Sequence, residues 1–275
     1  MIDTSIAFIG GGNMAAALAG GLAGKVVSAE RIHVLDPNVQ SHDAWRARGA
    51  SVAAQPDEAL ARAAVWVYAV KPQIMKEVVA QTRPWLRDTL VISVAAGLRG
   101  DTLAGWLGEG GQPHGRVIRC MPNTPALIGA GASGLAAQAG VGAADRKLAT
   151  TLLSAVGEVT WVADDAALDA VTALSGSGPA YVFLVIQALI DGGVSLGLSA
   201  EQARQLALAT LAGATRLAAE SDESPEVLRQ RVTSKGGTTA AAIGVMQAQG
   251  LEATIARAMR AAAERAREMG QEFGA

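Results

Sequence analysis

A single cysteine, Cys120, is all that this 275-residue chain carries, so no disulfide can form within it. A reducing compartment is the natural expectation for such a chain. Aromatic residues are scarce as well, at 4%. Ala, Gly, Leu and Val dominate instead, which favours tightly approaching helices and a buried parallel sheet. No charge excess of either sign exists: 23 Lys and Arg against 25 Asp and Glu leave a net charge of -2. That excludes the basic field on which nucleic-acid binding depends. The start of the chain lacks the basic residues and long apolar stretch of a signal peptide. The longest apolar run, around residues 180–190, is interrupted by Gln187 and ended by Asp191, short of the ~20 residues that span a bilayer. The expectation is a soluble, cytoplasmic protein with neither membrane nor nucleic acid as a partner.

Only three histidines are present. His33 falls in a strand-like segment, His42 in the helix that follows, and His114 in a glycine-rich loop. None stands within helical reach of another His or of the cysteine, so neither a metal set nor a catalytic histidine is expected. Cys120 reads as a small buried apolar residue. Tyr181 is assigned to a core.

What the chain does have is apolar residues, half of the total, and a clear change of rhythm along its length. Residues 5–9, 32–35, 65–70, 90–94, 117–121 and 159–162 read as strands. Helical segments lie between them at 15–24, 56–63, 74–86 and 101–107. That alternation predicts βαβ units, a doubly wound parallel sheet and hence an α/β Rossmann domain. From residue 168 onward only helices are expected, at 179–196, 200–219, 225–233, 239–249 and 251–273. Two domains follow, 1–163 and 164–275.

The first strand leads into Gly10, Gly11, Gly12, Asn13, Met14 and Ala15, a G-x-G-x-x-A pattern that opens a helix. Gly10 permits the tight turn, Gly12 lets the backbone approach a pyrophosphate, and Ala15 allows close packing. The free N–H groups and positive dipole end of the helix suit the phosphates. Asp36 ends the second strand where an acidic side chain can bond the ribose 2′-OH of NAD. Pro37 and Asn38 follow at once, and a carboxylate turned away beside an amide still admits a 2′-phosphate. Ala69, Val70, Lys71 and Pro72, and further on Ala96 and Gly97, stand at the carboxyl ends of strands, the ligand edge of an open α/β sheet. Asn123, in a Pro-braced turn with Thr124, completes the expected cofactor-binding set with Gly10, Gly12, Asn13 and Met14.

Two more segments are too particular for scaffold. Residues 174–183, LSGSGPAYVF, open a helix with Pro179 in its first turn. Residues 234–239, SKGGTT, precede another helix and offer hydroxyls and free N–H groups, a natural seat for a small carboxylate.

With GGGNMA, AVKPQ, AAG, RCMPNTP, ALSGSGPAYVF, DGGVSLGL and PEVLRQRVTSKGGTTAAAI in this order, the chain resembles the pyrroline-5-carboxylate reductases over nearly its whole length. The resemblance implies NAD(P)H-dependent hydride transfer to the C=N bond of 1-pyrroline-5-carboxylate, giving L-proline. It implies NADPH as cofactor, with NADH as the alternative. The all-α C-terminal domain would build a homodimer or a ring of dimers, with the active site between a cofactor domain and helices of a partner subunit. Substrate would be bound by Ser234, Gly236, Gly237, Thr238 and Thr239. The Gly237 and Thr238 amides and the Ser234 hydroxyl would take its carboxylate, and Thr239, as the catalytic residue, its ring nitrogen. Asp222 stands where some relatives carry Glu. The alternatives are a reductase of another cyclic imine acid, a 3-hydroxyacid dehydrogenase and a dinucleotide-binding module without turnover. Against the dehydrogenase, the helix at 179–196 has no lysine to serve as the base that alcohol oxidation needs; against the module, intact Ser234 and Thr239 have no use without a substrate.

Overall fold

The structure is a computed structural model, and it describes residues 1–274. Among them are eight strands: β1 (Ile6–Ile9), β2 (Ile32–Leu35), β3 (Ser51–Ala53), β4 (Val65–Tyr68), β5 (Leu90–Ser93), β6 (Val117–Met121), β7 (Gly131–Ala137) and β8 (Gly157–Trp161). Seven α-helices alternate with or follow them: α1 (Asn13–Leu22), α2 (His42–Arg46), α3 (Glu58–Arg62), α4 (Pro72–Thr82), α5 (Gly100–Leu107), α6 (Ala143–Leu153) and α7 (Asp165–Val171). Five more close the chain: α8 (Gly178–Ser195), α9 (Ala200–Glu220), α10 (Pro225–Arg231), α11 (Thr238–Ala248) and α12 (Leu251–Gly274).

The strands form one sheet in the order β3-β2-β1-β4-β5-β6-β7-β8. Chain order reverses between β1 and β4, which makes the crevice outside their carboxyl ends the place where a dinucleotide sits. The central strands read as unbroken apolar runs because both faces are covered. Ile6 and Phe8 join a core with Leu18 and Leu22 of α1 and Leu152 of α6. Ala7 and Ile9 face the other way, toward Met75 and Val79 of α4 and Leu103 of α5.

Three features depart from the sequence reading. The sheet is not wholly parallel, since β6 and β7 run antiparallel. Strand β7, GASGLAA, has no β-branched residue to announce it. Its glycines answer to packing instead: a methyl on Gly134 would stand 2.5 Å from Val171 Cγ1, and one on Gly131 2.9 Å from Ala126 Cβ. Strand β3 and helix α6 were also not expected.

The second departure is the division of the chain. One compact unit comprises Met1–Ser177 and the tail from Ala261, and the other Gly178–Arg260. The expected boundary at 163/164 therefore falls inside the first unit, because α7 is tied to the sheet. Asp165 Oδ2 accepts from the Gly100 amide at 2.9 Å, and its Oδ1 faces Arg119 Nη1 at 3.0 Å in a buried ion pair without hydrogen-bond alignment. The tail belongs there as well: Gly97 (φ +74°) turns its α-carbon onto Met269, and Phe273 packs on the core beneath α5.

Thirdly, one π-helical turn, Thr172–Gly176, carries helical structure on from α7. The helical stretch Asp165–Ser195 thus has 31 residues with a mean hydropathy of 1.6 in its most apolar window. By length and composition it could cross a membrane, a correction to the expectation that every apolar run falls short.

Within the second unit, α8 and α9 pack through small residues. A methyl on Gly193 would stand 3.1 Å from Ala203 Cβ, so the helices approach closely there. Gly197 (φ +98°) makes the turn between them, and Ser199 and Gln202 form a reciprocal cap on α9. Tyr181, expected in a core, is only half-buried.

Candidate active site

The cofactor edge is built where β1, β2 and β4 end. Gly10 takes a φ of +97°, and a methyl there would strike Val70 Cγ1 and the Ala69 carbonyl oxygen at 2.7 and 2.8 Å. Only glycine lets the loop lie this close to the end of β4. Gly12 is the opposite case, with an ordinary φ of -74° and no atom within 4 Å of where a methyl would sit. It caps α1 with bare backbone and no side-chain bond. The first-turn amides of Asn13 and Met14 therefore face an open cradle, beside which Asn13 is exposed and Met14 half-buried. These residues fit a pyrophosphate: backbone donors, a helix dipole of the right sign, and room that one added carbon would fill.

Asp36 lies beside this loop, but its bonds are internal. Oδ2 accepts the Gly11 amide at 2.7 Å and Oδ1 the Asn38 amide at 2.8 Å. Its own amide donates to the Ala53 carbonyl at 3.0 Å, and its carbonyl is 2.7 Å from His42 Nε2. A carbonyl can only accept, so His42 carries its proton on Nε2. Asn38 in turn accepts from the Gln40 amide at 3.3 Å. Gly11, which the glycine pattern leaves unspecified, proves as constrained as its neighbours. A methyl there would stand 2.7 Å from Asp36 Oδ2 and 2.8 Å from Trp45 Nε1. The run of three glycines was the one signal of this in the sequence; nothing pointed to Trp45.

The remaining expected cofactor residues divide. Ala69 and Val70 border Gly10 as described, Lys71 caps α4 with its side chain exposed, and Pro72 takes the first position of that helix. Ala96 is half-buried beside Gly97, whose α-carbon faces the C-terminal helix. The side-chain bonds of Asn123 are internal. It is buried, its Nδ2 donates to the Ser175 carbonyl at 3.1 Å, and its Oδ1 accepts from the Ala132 amide at 2.8 Å. A groove of about 1080 Å³ between α4 and α5, edged by Arg83, Trp106 and His114, includes no expected site residue in its lining.

The other candidate residues belong to the second unit. Ser234 to Gly237 form a tight turn closed by the Gly237 amide on the Ser234 carbonyl at 3.0 Å. Gly236 takes a φ of +73°. At Gly237 a methyl would stand 2.4 Å from Ser234 Oγ, so the hydroxyl lies directly over the turn. Gly237 caps α11 without a side-chain bond. The amides of Thr238 and Thr239 open toward this hydroxyl end of the helix. Thr239 is half-buried, whereas Ser234 and Thr238 are exposed.

The remaining histidines and the cysteine sit in structural surroundings. His33 Nδ1 is 2.9 Å from Ser51 Oγ, and His114 Nε2 is 2.8 Å from the Thr89 carbonyl. Burial pushes the Cys120 thiol far above its ordinary range, which leaves it inert at neutral pH.

Residues 5–97 match the family model for NADP oxidoreductases, coenzyme F420-dependent. Residues 165–269 match that for pyrroline-5-carboxylate reductase dimerisation. A pyrroline-5-carboxylate reductase of Pseudomonas aeruginosa is 49% identical over 276 residues, covering all of both chains. Among solved structures, the pyrroline-5-carboxylate reductase of Coxiella burnetii superposes with a TM-score of 0.90 at 38% identity, over 98% of this chain and 99% of the other. The pyrroline carboxylate reductase of Plasmodium falciparum, with NADP bound, gives 0.87 at 30% identity over 98% and 99%. A glycine cradle with room for a pyrophosphate and this full-length kinship together place the chain in the pyrroline-5-carboxylate reductase family of NAD(P)H-dependent oxidoreductases.

Proposed function

We propose that this chain reduces the C=N bond of 1-pyrroline-5-carboxylate and releases L-proline, the last step of proline biosynthesis. The observation that carries the substrate half is the bare N-terminus of α11, with Ser234 Oγ laid over Gly237. The Thr238 amide and the Ser234 hydroxyl take the substrate carboxylate, while the Gly237 amide, closed on the Ser234 carbonyl, and the turn at Gly236 shape the loop. Thr239, one residue into the helix, hydrogen-bonds the ring nitrogen.

When bound, the dinucleotide supplies a hydride. The C=N carbon accepts it while the ring nitrogen gains a proton, and no base is needed to prepare the substrate. The protein's contribution is alignment, which can supply ~7–11 kcal/mol of barrier lowering. Oxidation of an alcohol would need a base, and α8, GPAYVFLVIQALIDGGVS, holds no lysine to act as one.

The same reading covers assembly and location. Phe183 and Leu184 are 63% and 72% exposed on α8, with Val182 and Val185 beside them. Large apolar patches of this kind mark contact surfaces, and the matched region is described by its role in dimerisation. We assign these side chains to a homodimer in the cytoplasm, with rings of dimers as the higher assembly, rather than to a bilayer. Mixing the protein with 1-pyrroline-5-carboxylate and NADPH, then NADH, tests the activity through loss of nicotinamide absorbance. No loss with either would overturn it. Light scattering that returned only the 27.9 kDa monomer would overturn the dimer.

A further inference from the structure

Asp36 occupies the position from which a carboxylate selects the ribose 2′-OH of NAD, yet every polar atom it has is spent on the protein. Its side chain holds the Gly11 and Asn38 amides at 2.7 and 2.8 Å. Its backbone is fixed by Ala53 and by the buried ring of His42. The contact with Gly11 is close enough that no side chain fits between them, and Trp45 Nε1 closes the same space. We propose that Asp36 is a positioning residue for the phosphate-binding loop, not the ribose-selecting carboxylate. It acts on the cofactor through Gly11, by fixing the loop that carries Gly10 and Gly12. A residue acting in this way affects NADH and NADPH alike, because both present the same pyrophosphate. Discrimination between them then lies elsewhere, and an acid at 36 is compatible with a 2′-phosphate.

The inference rests on the dinucleotide reading of the glycine loop but not on the imine substrate, so equilibrium binding is the proper readout. Titrating the full-length protein with NADPH and NADH by nicotinamide and tryptophan fluorescence gives both dissociation constants for wild type, D36A, D36N, G11A and D36A/G11A. Loss of one charge-assisted hydrogen bond predicts about tenfold weaker binding of both cofactors by D36A. The asparagine variant keeps one acceptor and should fall between. In turnover, KM for both cofactors should rise by more than kcat falls. D36A removes the shorter of the two clashes met by the methyl of G11A and leaves that with Trp45 Nε1, so the double variant should bind better than the product of the two single effects while keeping part of the G11A loss. Melting curves show whether each variant is folded. Selective loss of NADH binding in D36A, with NADPH kept or improved, would overturn the proposal, as would effects that multiply in the double variant. Wild-type binding without turnover of 1-pyrroline-5-carboxylate would instead defeat the reductase reading and leave this cycle interpretable.

Discussion

The side-chain amide of Asn123 joins Ser175, 52 residues further along the chain, through a 3.1 Å hydrogen bond to its carbonyl oxygen. Ser175 lies in the π-helical turn, where the backbone ladder is locally out of step and a carbonyl is freed for another donor. The other end of the same amide accepts from Ala132 at the start of β7. A residue of a proline-braced loop thus fastens the π-helical turn to strand β7.

The first prediction follows from that link. Replacing Asn123 with Ala leaves a buried amide and a carbonyl unpartnered, at a cost of about 1–3 kcal/mol. Asn123→Asp should be at least as harmful, since it sets an oxygen against the Ser175 carbonyl. Urea denaturation measures both. Unchanged stability together with a raised cofactor KM would return Asn123 to the ligand-binding role expected from the sequence.

Gly12 should separate folding from binding. An alanine methyl there meets no protein atom and the backbone φ is ordinary. Gly12→Ala should therefore melt at or slightly above the wild-type temperature, as substitutions that stiffen the unfolded chain do by about 0.4–1 kcal/mol. Dinucleotide affinity should nevertheless collapse. Retained affinity would show that the cradle is not where the pyrophosphate lies.

Thr239 offers a test of the imine-nitrogen role. Thr239→Val keeps the shape and removes the hydroxyl, so kcat should drop about 10- to 100-fold, the worth of one strong hydrogen bond. Thr239→Ser should recover most of that loss. Wild-type kinetics in the valine variant would rule the role out.

His33 predicts a pH dependence of stability. Burial holds its pKa below the ordinary 6.5; the Asp57 carboxylate opposes this and Arg62 reinforces it. The unfolded chain therefore takes up a proton near pH 6.5 that the native ring refuses. This contribution to stability is complete above pH 6.5 and is lost as pH falls from there through the lowered native value, at up to about 1.4 kcal/mol per pH unit. Urea midpoints at pH 7.5 and 5.0 should fall further for wild type than for His33→Gln. Equal decreases would show that the ring is not buried as a neutral group.

Much of the architecture was legible in the chain. Mostly apolar runs with Gly or Pro near their ends located β1, β2, β4, β5 and β6, because strands covered on both faces are predominantly apolar. Spacing alone also placed the glycine cradle and the turn before α11, since both are local backbone constructions. Strand β7 escaped notice because its side chains are cut small to fit Val171 and Ala126, a demand set by neighbours distant in sequence. The same holds for Asn123 and Asp36. Their residue types and positions invite a ligand role, and the fold also brings protein partners within hydrogen-bond reach of them. For Asn123 those partners were Ser175 and Ala132, and for Asp36 they were Gly11 and Asn38. The residues alone disclosed a dinucleotide loop on a doubly wound sheet and a glycine turn before a helix, because both depend on short-range backbone geometry. Only the tertiary structure decided which polar side chains are spent on holding that machinery in place, because that depends on which groups close packing brings into reach.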